Sequence, residues 1–163
     1  MVRDNVLTQI NRMNQRGGRM LSVIDLIKAG TLSVDLAAHL AASQLKGISI
    51  LSGARTGGAG KTTLLASILA FTPPGDEIIT VTAGNLSQYR KIASQKHTSR
   101  KTSEKKSIFL CHEISPASYF SYLWGENLKD YFALADSTAS HICFTIHADS
   151  PEEACPQLIN NNT

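Results

Sequence analysis

Short runs of apolar and β-branched residues recur along this chain, separated by longer segments with helical periodicity. The runs predict strands over residues 48–52, 78–82, 107–111 and 141–146. A helical run over 64–71 follows the first strand and a glycine-rich segment. A strand, a helix and a second strand in this order imply a right-handed crossover between parallel strands. We therefore predict an α/β fold of three layers, with helices on both faces of a mostly parallel sheet.

Capping residues and apolar spacing predict further helices outside these strands. Ser22 is the candidate N-cap of a helix within 22–30, and a second helix covers 33–46. Residues 1–19 form a basic arm or helix that can dock through its apolar positions. The aromatic residues of 116–135 are assigned to the core and to subunit contacts. Helices are also expected over 84–94, 116–124 and 126–135, and from Pro151 onward.

The composition is that of a globular domain. The chain has 163 residues, a length typical of one domain, with 42% hydrophobic and 18% charged residues. Its three cysteines and the absence of a signal peptide fit a reducing compartment. No apolar run approaches the ~18 residues of a membrane span. We therefore expect a single cytoplasmic domain over residues 1–163, able to dock at the inner face of a membrane.

The positive charge of the chain collects between residues 89 and 106, among serine, threonine and glutamine. The net charge of +3 is otherwise mild. We interpret the segment 89–106 as an exposed flexible loop. The alternative is a cationic arm that reaches a phosphate on a neighbouring subunit's nucleotide or on a nucleic acid. Tyr89 is the only aromatic residue of the segment, so stacking on single strands is not indicated and nucleic acid is the less favoured partner.

The glycine-rich segment has the context that a phosphate-binding loop requires, because a strand precedes it and a helix follows it. Glycines let backbone N–H groups turn toward an anion, and the start of the next helix adds free donors. Lys61 is placed to contact the β- and γ-phosphates of a nucleotide, and Thr62 to bind Mg²⁺ through its hydroxyl. The candidate cofactor-binding residues are Gly57, Gly58, Ala59, Gly60, Lys61, Thr62 and Thr63.

The loop departs from the strict phosphate-loop pattern at one position. Counting back from Gly60, Arg55 stands where the first glycine belongs. If Gly53 is that glycine instead, the loop is longer than the pattern allows. The residues alone leave open whether Arg55 blocks or assists a phosphate.

The third predicted strand delivers Glu113 to its carboxyl end, the sheet edge at which Lys61 and Thr62 are also expected. A carboxylate there can hold Mg²⁺ or orient an attacking water, so Glu113 is a candidate catalytic residue and, with Thr62, a magnesium ligand. A zinc site is the less favoured alternative, because the spacing of its potential ligands matches no structural-zinc pattern. Those ligands are Cys111, His112, His141, Cys143, His147 and Cys155.

Four segments together resemble the traffic ATPases of the type II and type IV secretion superfamily, the motors of pilus and conjugation machines. They are residues 26–33, 52–65, the pair Glu113-Ile114, and 141–154, where His147-Ala148-Asp149-Ser150-Pro151-Glu152-Glu153-Ala154 is the most specific run. The resemblance implies a RecA-like motor domain that hydrolyses MgATP within a hexameric ring or with partner motor subunits, at membrane-associated secretion or pilus machinery. It assigns Glu113 as the Walker B glutamate and His147 as a catalytic γ-phosphate sensor.

Two departures from that family bear on activity. The family's acidic pair should fall near residues 81–84, where this chain has Val-Thr-Ala-Gly. The Walker B segment reads His112-Glu113-Ile114-Ser115 and lacks the family's arginine. Losing a carboxylate that positions water or metal lowers turnover more than phosphate binding. A nucleotide-binding subunit without turnover, with a structural or regulatory role, therefore remains the alternative to a working ATPase.

Overall fold

The computed structural model describes residues 2–14, 17–90, 105–117, 119, 121–136 and 140–160, and of residues 2–4 only the backbone. A short helical stretch also lies at 86–90. The helices are α1 (Val2–Arg12), α2 (Val23–Lys28), α3 (Val34–Lys46), α4 (Lys61–Leu69), α5 (Asn127–Ala133, continued by a 3₁₀ turn at Leu134–Asp136) and α6 (Pro151–Asn160). The strands are β1 (Ile50–Gly53), β2 (Glu77–Thr80), β3 (Ser107–Ile114), β4 (Tyr122–Leu123) and β5 (Ser140–Ile146).

These strands form one sheet with the order β1-β5-β3-β2, and β4 also pairs with β3. Every pairing between the described strands is parallel. β2 pairs with β3 at 107–110, whereas β4 pairs with Glu113 and Ile114 further along the same strand. Because the strands are parallel, their carboxyl ends meet at one edge of the sheet.

Hydrophobic side chains cover both faces of the sheet. Ile108 and Leu110 of β3 pack with Leu65 of α4 and Ile10 of α1. On the opposite face, Phe109 belongs to a cluster that includes residues of α5 and β5. Burial on both faces explains why the strand sequences are nearly continuous apolar runs rather than alternating ones. The prediction of an α/β fold with a mostly parallel sheet is confirmed, and this helix–sheet–helix arrangement is compatible with three layers.

The helices before the sheet begin and end as their capping residues predict. Ser22 and Asp25 form a reciprocal capping box at the start of α2. Arg19 hydrogen-bonds to Asp25 and holds the pKa of that carboxyl well below its usual range. Ser33 caps α3, and Gly47 ends it in the left-handed conformation. Among the described residues, no helix is both long enough and apolar enough to cross a membrane.

The helix predicted over 116–124 is wrong. Tyr122 and Leu123 form β4, and the backbone N–H groups of His112 and Ser115 donate to the carbonyls of Ser121 and Leu123. Pairing with the free flank of β3 therefore outweighs the local helical spacing. The helix predicted over 84–94 is observed at 86–90, and residues 91–104 of the basic segment lie outside the described residues.

Candidate functional site

The strand order brings three parts of the chain to the carboxyl edge of the sheet. Lys61 begins α4, which follows β1 after the glycine-rich loop. Glu113 lies near the end of β3, and His147 follows β5. Because β5 lies between β1 and β3, His147 is placed between the lysine and the glutamate.

The loop before α4 presents its backbone to a cavity. Gly58 and Gly60 have φ angles of 79° and 92°, a conformation that side chains with a Cβ rarely adopt. In the described part of the chain, the N–H groups of residues 57–60 donate to no protein acceptor. The first N–H groups of α4 are also unpaired within the helix, and its dipole adds positive potential there. The loop therefore offers several donors and a partial positive charge to an anion.

Three ionisable side chains meet beside this loop. The Lys61 ammonium is 4.0 Å from Glu113 Oε2, and Glu113 Oε1 is 2.9 Å from His147 Nε2. Lys61 Nζ also lies 3.3 Å from His147 Nδ1. Lys61 is only 7% exposed, and an ammonium buried to that degree requires a compensating partner. Glu113 is the nearby carboxylate that supplies it.

The ring of His147 is held from both sides. Its Nδ1 donates to the backbone carbonyl of Arg55 over 2.8 Å, because a carbonyl can only accept. Its Nε2 faces the Glu113 carboxylate, which also accepts hydrogen bonds when ionised. Gln157 of α6 donates to the His147 carbonyl over 3.0 Å and so fixes the backbone as well.

The residues predicted for the nucleotide site all line one cavity of about 450 Å³. The predicted residues on its wall are Gly57, Gly58, Ala59, Gly60, Lys61, Thr62, Thr63, Glu113 and His147. The rest of the lining was not anticipated and consists of Met13, Asn14, Met20, Ser115, Ala117, Tyr119 and Tyr122. The apolar spacing of α1 predicts that it docks, but nothing in the sequence shows that its end reaches the phosphate loop. In that aromatic segment Tyr131 lies in the core and Phe132 packs against it, as predicted, whereas Tyr119 and Tyr122 line the cavity instead.

The end of β2, near which the resemblance places an acidic pair, carries no carboxylate. The Asn85 side chain accepts from the Thr82 N–H over 2.8 Å and donates to the Thr80 carbonyl. These polar groups satisfy one another at the strand end instead of facing the cavity. Among the described residues, Glu113 is the carboxylate that lines the cavity.

The residues considered for zinc do not assemble into a metal site. In the described part of the chain, no group of three or more His, Cys, Asp or Glu residues could hold a metal ion. Burial raises the pKa of both the Cys111 and the Cys143 thiols to about 12, so they act as neutral packing groups. Burial also lowers the pKa of His141, to about 4. The exposed Cys155 lies on α6.

The protein-family models give no match to this chain, and no curated protein matches it. The geometry itself defines a class of protein. It is an α/β protein whose parallel sheet gathers a lysine, a glutamate and a histidine at its carboxyl edge, beside a glycine-rich loop and a helix N-terminus. The chemistry of this edge is suited to a bound polyanion.

Proposed function

We propose that this chain is a P-loop ATPase with a RecA-like domain, which binds MgATP in the 450 Å³ cavity and hydrolyses it. One observation carries the proposal. The buried Lys61 begins α4 directly after the left-handed Gly60, and it lies beside Glu113 and His147 at the carboxyl edge of the sheet. This combination supplies phosphate donors, a metal-binding oxygen and a candidate base in one place.

The donor set fits a nucleoside triphosphate with magnesium. The loop N–H groups and the Lys61 ammonium would bind phosphate oxygens, whereas the hydroxyl of Thr62 and the carboxylate of Glu113 are the hard oxygen ligands that Mg²⁺ prefers. Magnesium, when bound, neutralises charge on the phosphates. Glu113 would orient the attacking water and accept a proton from it, and His147 would contact the γ-phosphate.

A second candidate is a nucleotide-binding subunit that does not turn over. Two observations favour it. Glu113 is the carboxylate on the wall of the cavity in the described chain, and it is engaged by both Lys61 and His147. With a basic side chain facing each of its oxygens, this carboxylate has fewer lone pairs left for a metal or a water. Such a subunit would gate an assembly by binding nucleotide.

The test is a calorimetric titration of MgATP into the wild type, Lys61→Ala and Lys28→Ala. Lys28 is an exposed residue at the end of α2 and serves as the matched control. A saturable heat followed by a sustained heat of hydrolysis, both retained in Lys28→Ala, supports the ATPase. Because Lys61 supplies a charged hydrogen bond, its loss should weaken binding roughly 10- to 100-fold. Saturation without sustained heat supports the second candidate, and no heat in the wild type refutes both.

We also infer a cytoplasmic, homo-oligomeric protein that works with secretion or pilus machinery, and its assembly state is directly measurable. By the resemblance, the expected oligomer is a hexamer or a mixed ring with partner motor subunits. Light scattering with and without MgATP measures the particle mass. A monomer under both conditions would contradict the homo-oligomer.

A further inference from the structure

Arg55, which interrupts the phosphate-loop pattern, turns its side chain away from the cavity. Its guanidinium donates through Nη2 to Glu153 Oε1 over 3.1 Å, and Nε lies 3.5 Å from Asp149 Oδ2. Both carboxylates belong to the segment around the start of α6. Arg55 is not among the residues that line the cavity. The side chain is therefore not placed to block a phosphate.

The backbone of Arg55 makes contacts with the same segment. Its N–H donates to Asp149 Oδ1 over 2.6 Å, and its carbonyl accepts from His147 Nδ1 over 2.8 Å. The N–H of Asp149 in turn donates to Glu153 Oε2 over 2.9 Å. The backbone N–H, the backbone carbonyl and the side chain of Arg55 are thus all bound by residues 147–153. These bonds form a closed ring between the loop and the residues after β5.

Close packing leaves this ring of hydrogen bonds little freedom to shift. A Cβ placed on Gly53 would lie 2.7 Å from the Ala148 carbonyl oxygen, so the two chain segments touch just before Arg55. The Ala54 N–H also donates to the Ile146 carbonyl over 3.3 Å. The orientation of the His147 ring therefore depends on where Arg55 is held.

We propose that Arg55 is a positioning residue, which with Asp149 and Glu153 ties the phosphate loop to α6 and sets the orientation of His147. The role of this ring in nucleotide chemistry rests on the proposed function. The Arg55 side chain is 68% exposed and that of Asp149 is 57% exposed, and exposed ion pairs contribute little to stability. These hydrogen bonds instead fix the position of His147 on the side of the cavity where the γ-phosphate of the proposed nucleotide would lie.

The experiment compares Arg55→Ala, Arg55→Lys and Glu153→Gln with the wild type and with the control Glu152→Gln. Glu152 neighbours Glu153 but interacts with Ser150, not with Arg55. In nucleotide-free protein, long-range ¹H–¹⁵N spectra report the ring nitrogens of His147, assigned with His147→Gln. Nucleotide-dependent readouts are MgATP affinity and turnover, and thermal unfolding monitors the fold.

Arg55→Ala and Glu153→Gln should move the His147 ring resonances and reduce turnover about tenfold, as expected for a misplaced catalytic group, without a matching loss of thermal stability. Arg55→Lys should retain more of the wild-type turnover than Arg55→Ala, and its His147 ring resonances should lie closer to those of the wild type. The double variant Arg55→Ala/Glu153→Gln should lose less than the two single variants added together, because both changes remove the contact between Arg55 and Glu153. Glu152→Gln should behave as the wild type.

The outcomes separate this inference from the proposed function. If the wild type binds and hydrolyses MgATP while the Arg55 and Glu153 variants match it in turnover and in His147 resonances, the positioning role is refuted. The positioning role is also refuted if turnover falls only in those variants whose thermal stability falls with it, because that pattern indicates a structural role. If the wild type binds no nucleotide, the proposed function fails, and the His147 resonances alone then decide whether Arg55 orients the ring.

Discussion

Glu113 is enclosed by two basic side chains, and only 12% of its side chain is exposed. The Lys61 contact at 4.0 Å is long, whereas the His147 contact at 2.9 Å is a close hydrogen bond. The carboxylate is therefore held in place chiefly by the histidine. In the proposed ATPase it has to act on water while the lysine binds phosphate, so its charge matters more for turnover than for binding.

We accordingly expect Glu113→Gln to lower turnover by about 100-fold, the lower end of what a general base contributes. MgATP affinity should change by no more than about threefold, because the loop donors, Lys61 and the Thr62 hydroxyl remain and the amide oxygen of the new glutamine can still face the metal. Phosphate release and equilibrium titration measure the two quantities, with Glu152→Gln as the control. A variant that binds no MgATP but folds normally would show that Glu113 serves the metal rather than the water.

Tyr131 is a second residue with a specific structural role, because its hydroxyl contacts backbone groups of two strands. It accepts from the Cys111 N–H at 3.2 Å and lies within hydrogen-bond distance of the Phe109 and Cys143 carbonyls, at 3.0 and 2.9 Å. Burial raises the pKa of Tyr131 well above its ordinary value, so the hydroxyl stays protonated. It serves β3 and β5 from the centre of the core.

Tyr131→Phe leaves these buried backbone groups without their shared partner, and we expect a loss of about 1–3 kcal/mol in the free energy of unfolding. Urea unfolding measures the change. Tyr89→Phe is the control, since the Tyr89 ring packs against Phe109 and its hydroxyl makes no hydrogen bond in the described part of the chain. Equal losses in both variants would rule out the bridging role.

At the scale of elements, the junction between β1 and the end of β5 depends on the absence of a side chain at Gly53. The atom that a Cβ would meet at 2.7 Å is a backbone carbonyl oxygen, which cannot rotate away as a side chain could. Gly53→Ala should therefore cost about 1–3 kcal/mol through forced backbone shifts. Gly84→Ala meets only the Thr82 hydroxyl at 3.8 Å and should be tolerated. Chemical denaturation of both variants measures the difference, and equal stability would show that the junction relaxes.

The elements that the sequence predicts well are those whose own residues specify them. β3 and β5 are apolar enough to be buried on both faces, and α3 carries both its Ser33 cap and its terminal Gly47. β4 escaped prediction because its two residues are stabilised by pairing with β3 rather than by any local preference. Long-range pairing of this kind leaves no period in the sequence.

The same distinction applies to the candidate site. The phosphate loop is a local motif, and Glu113 and His147 were predictable because parallel strands bring their carboxyl ends to one edge. The contacts of Arg55 with residues 147–153 join distant parts of the chain, and so does the approach of α1 to the cavity. Neither follows from spacing, because each depends on how close two packed segments come.

For the molecule as a whole, stability should depend on pH through the buried imidazole of His141. This residue is 2% exposed, and neither ring nitrogen has a hydrogen-bond partner among the described residues. Burial lowers the pKa of His141 from 6.5 to about 4, the Lys106 charge adds to the shift, and Asp76 opposes it. Burial lowers the pKa of His112 as well. Both histidines are therefore neutral in the folded protein at neutral pH.

The sign of the pH dependence follows from proton uptake. Above pH 6.5 His141 is neutral in both states, whereas between pH 6.5 and about 4 the unfolded chain binds a proton that the folded chain excludes. Acidification through this window should thus lower the free energy of unfolding, by up to about 3 kcal/mol from His141. Asp25 contributes mainly below this window, because in the unfolded chain it takes up its proton near its ordinary pKa of 3.8, whereas the hydrogen bond from Arg19 keeps it ionised in the folded protein. Below about pH 4 the His141 contribution levels off, since both states are then protonated.

Replacing His141 with phenylalanine should flatten the stability profile between pH 6.5 and 4, because a buried apolar ring has no proton to exclude. Urea unfolding at half-unit pH intervals measures the profile, with the exposed His39→Gln as the control. The wild type and His39→Gln should lose stability together as the pH falls, and the residual slope of His141→Phe should report His112. If His141→Phe retains the full wild-type slope, then His141 takes up its proton in the folded protein as readily as in the unfolded chain, and the acid sensitivity arises elsewhere.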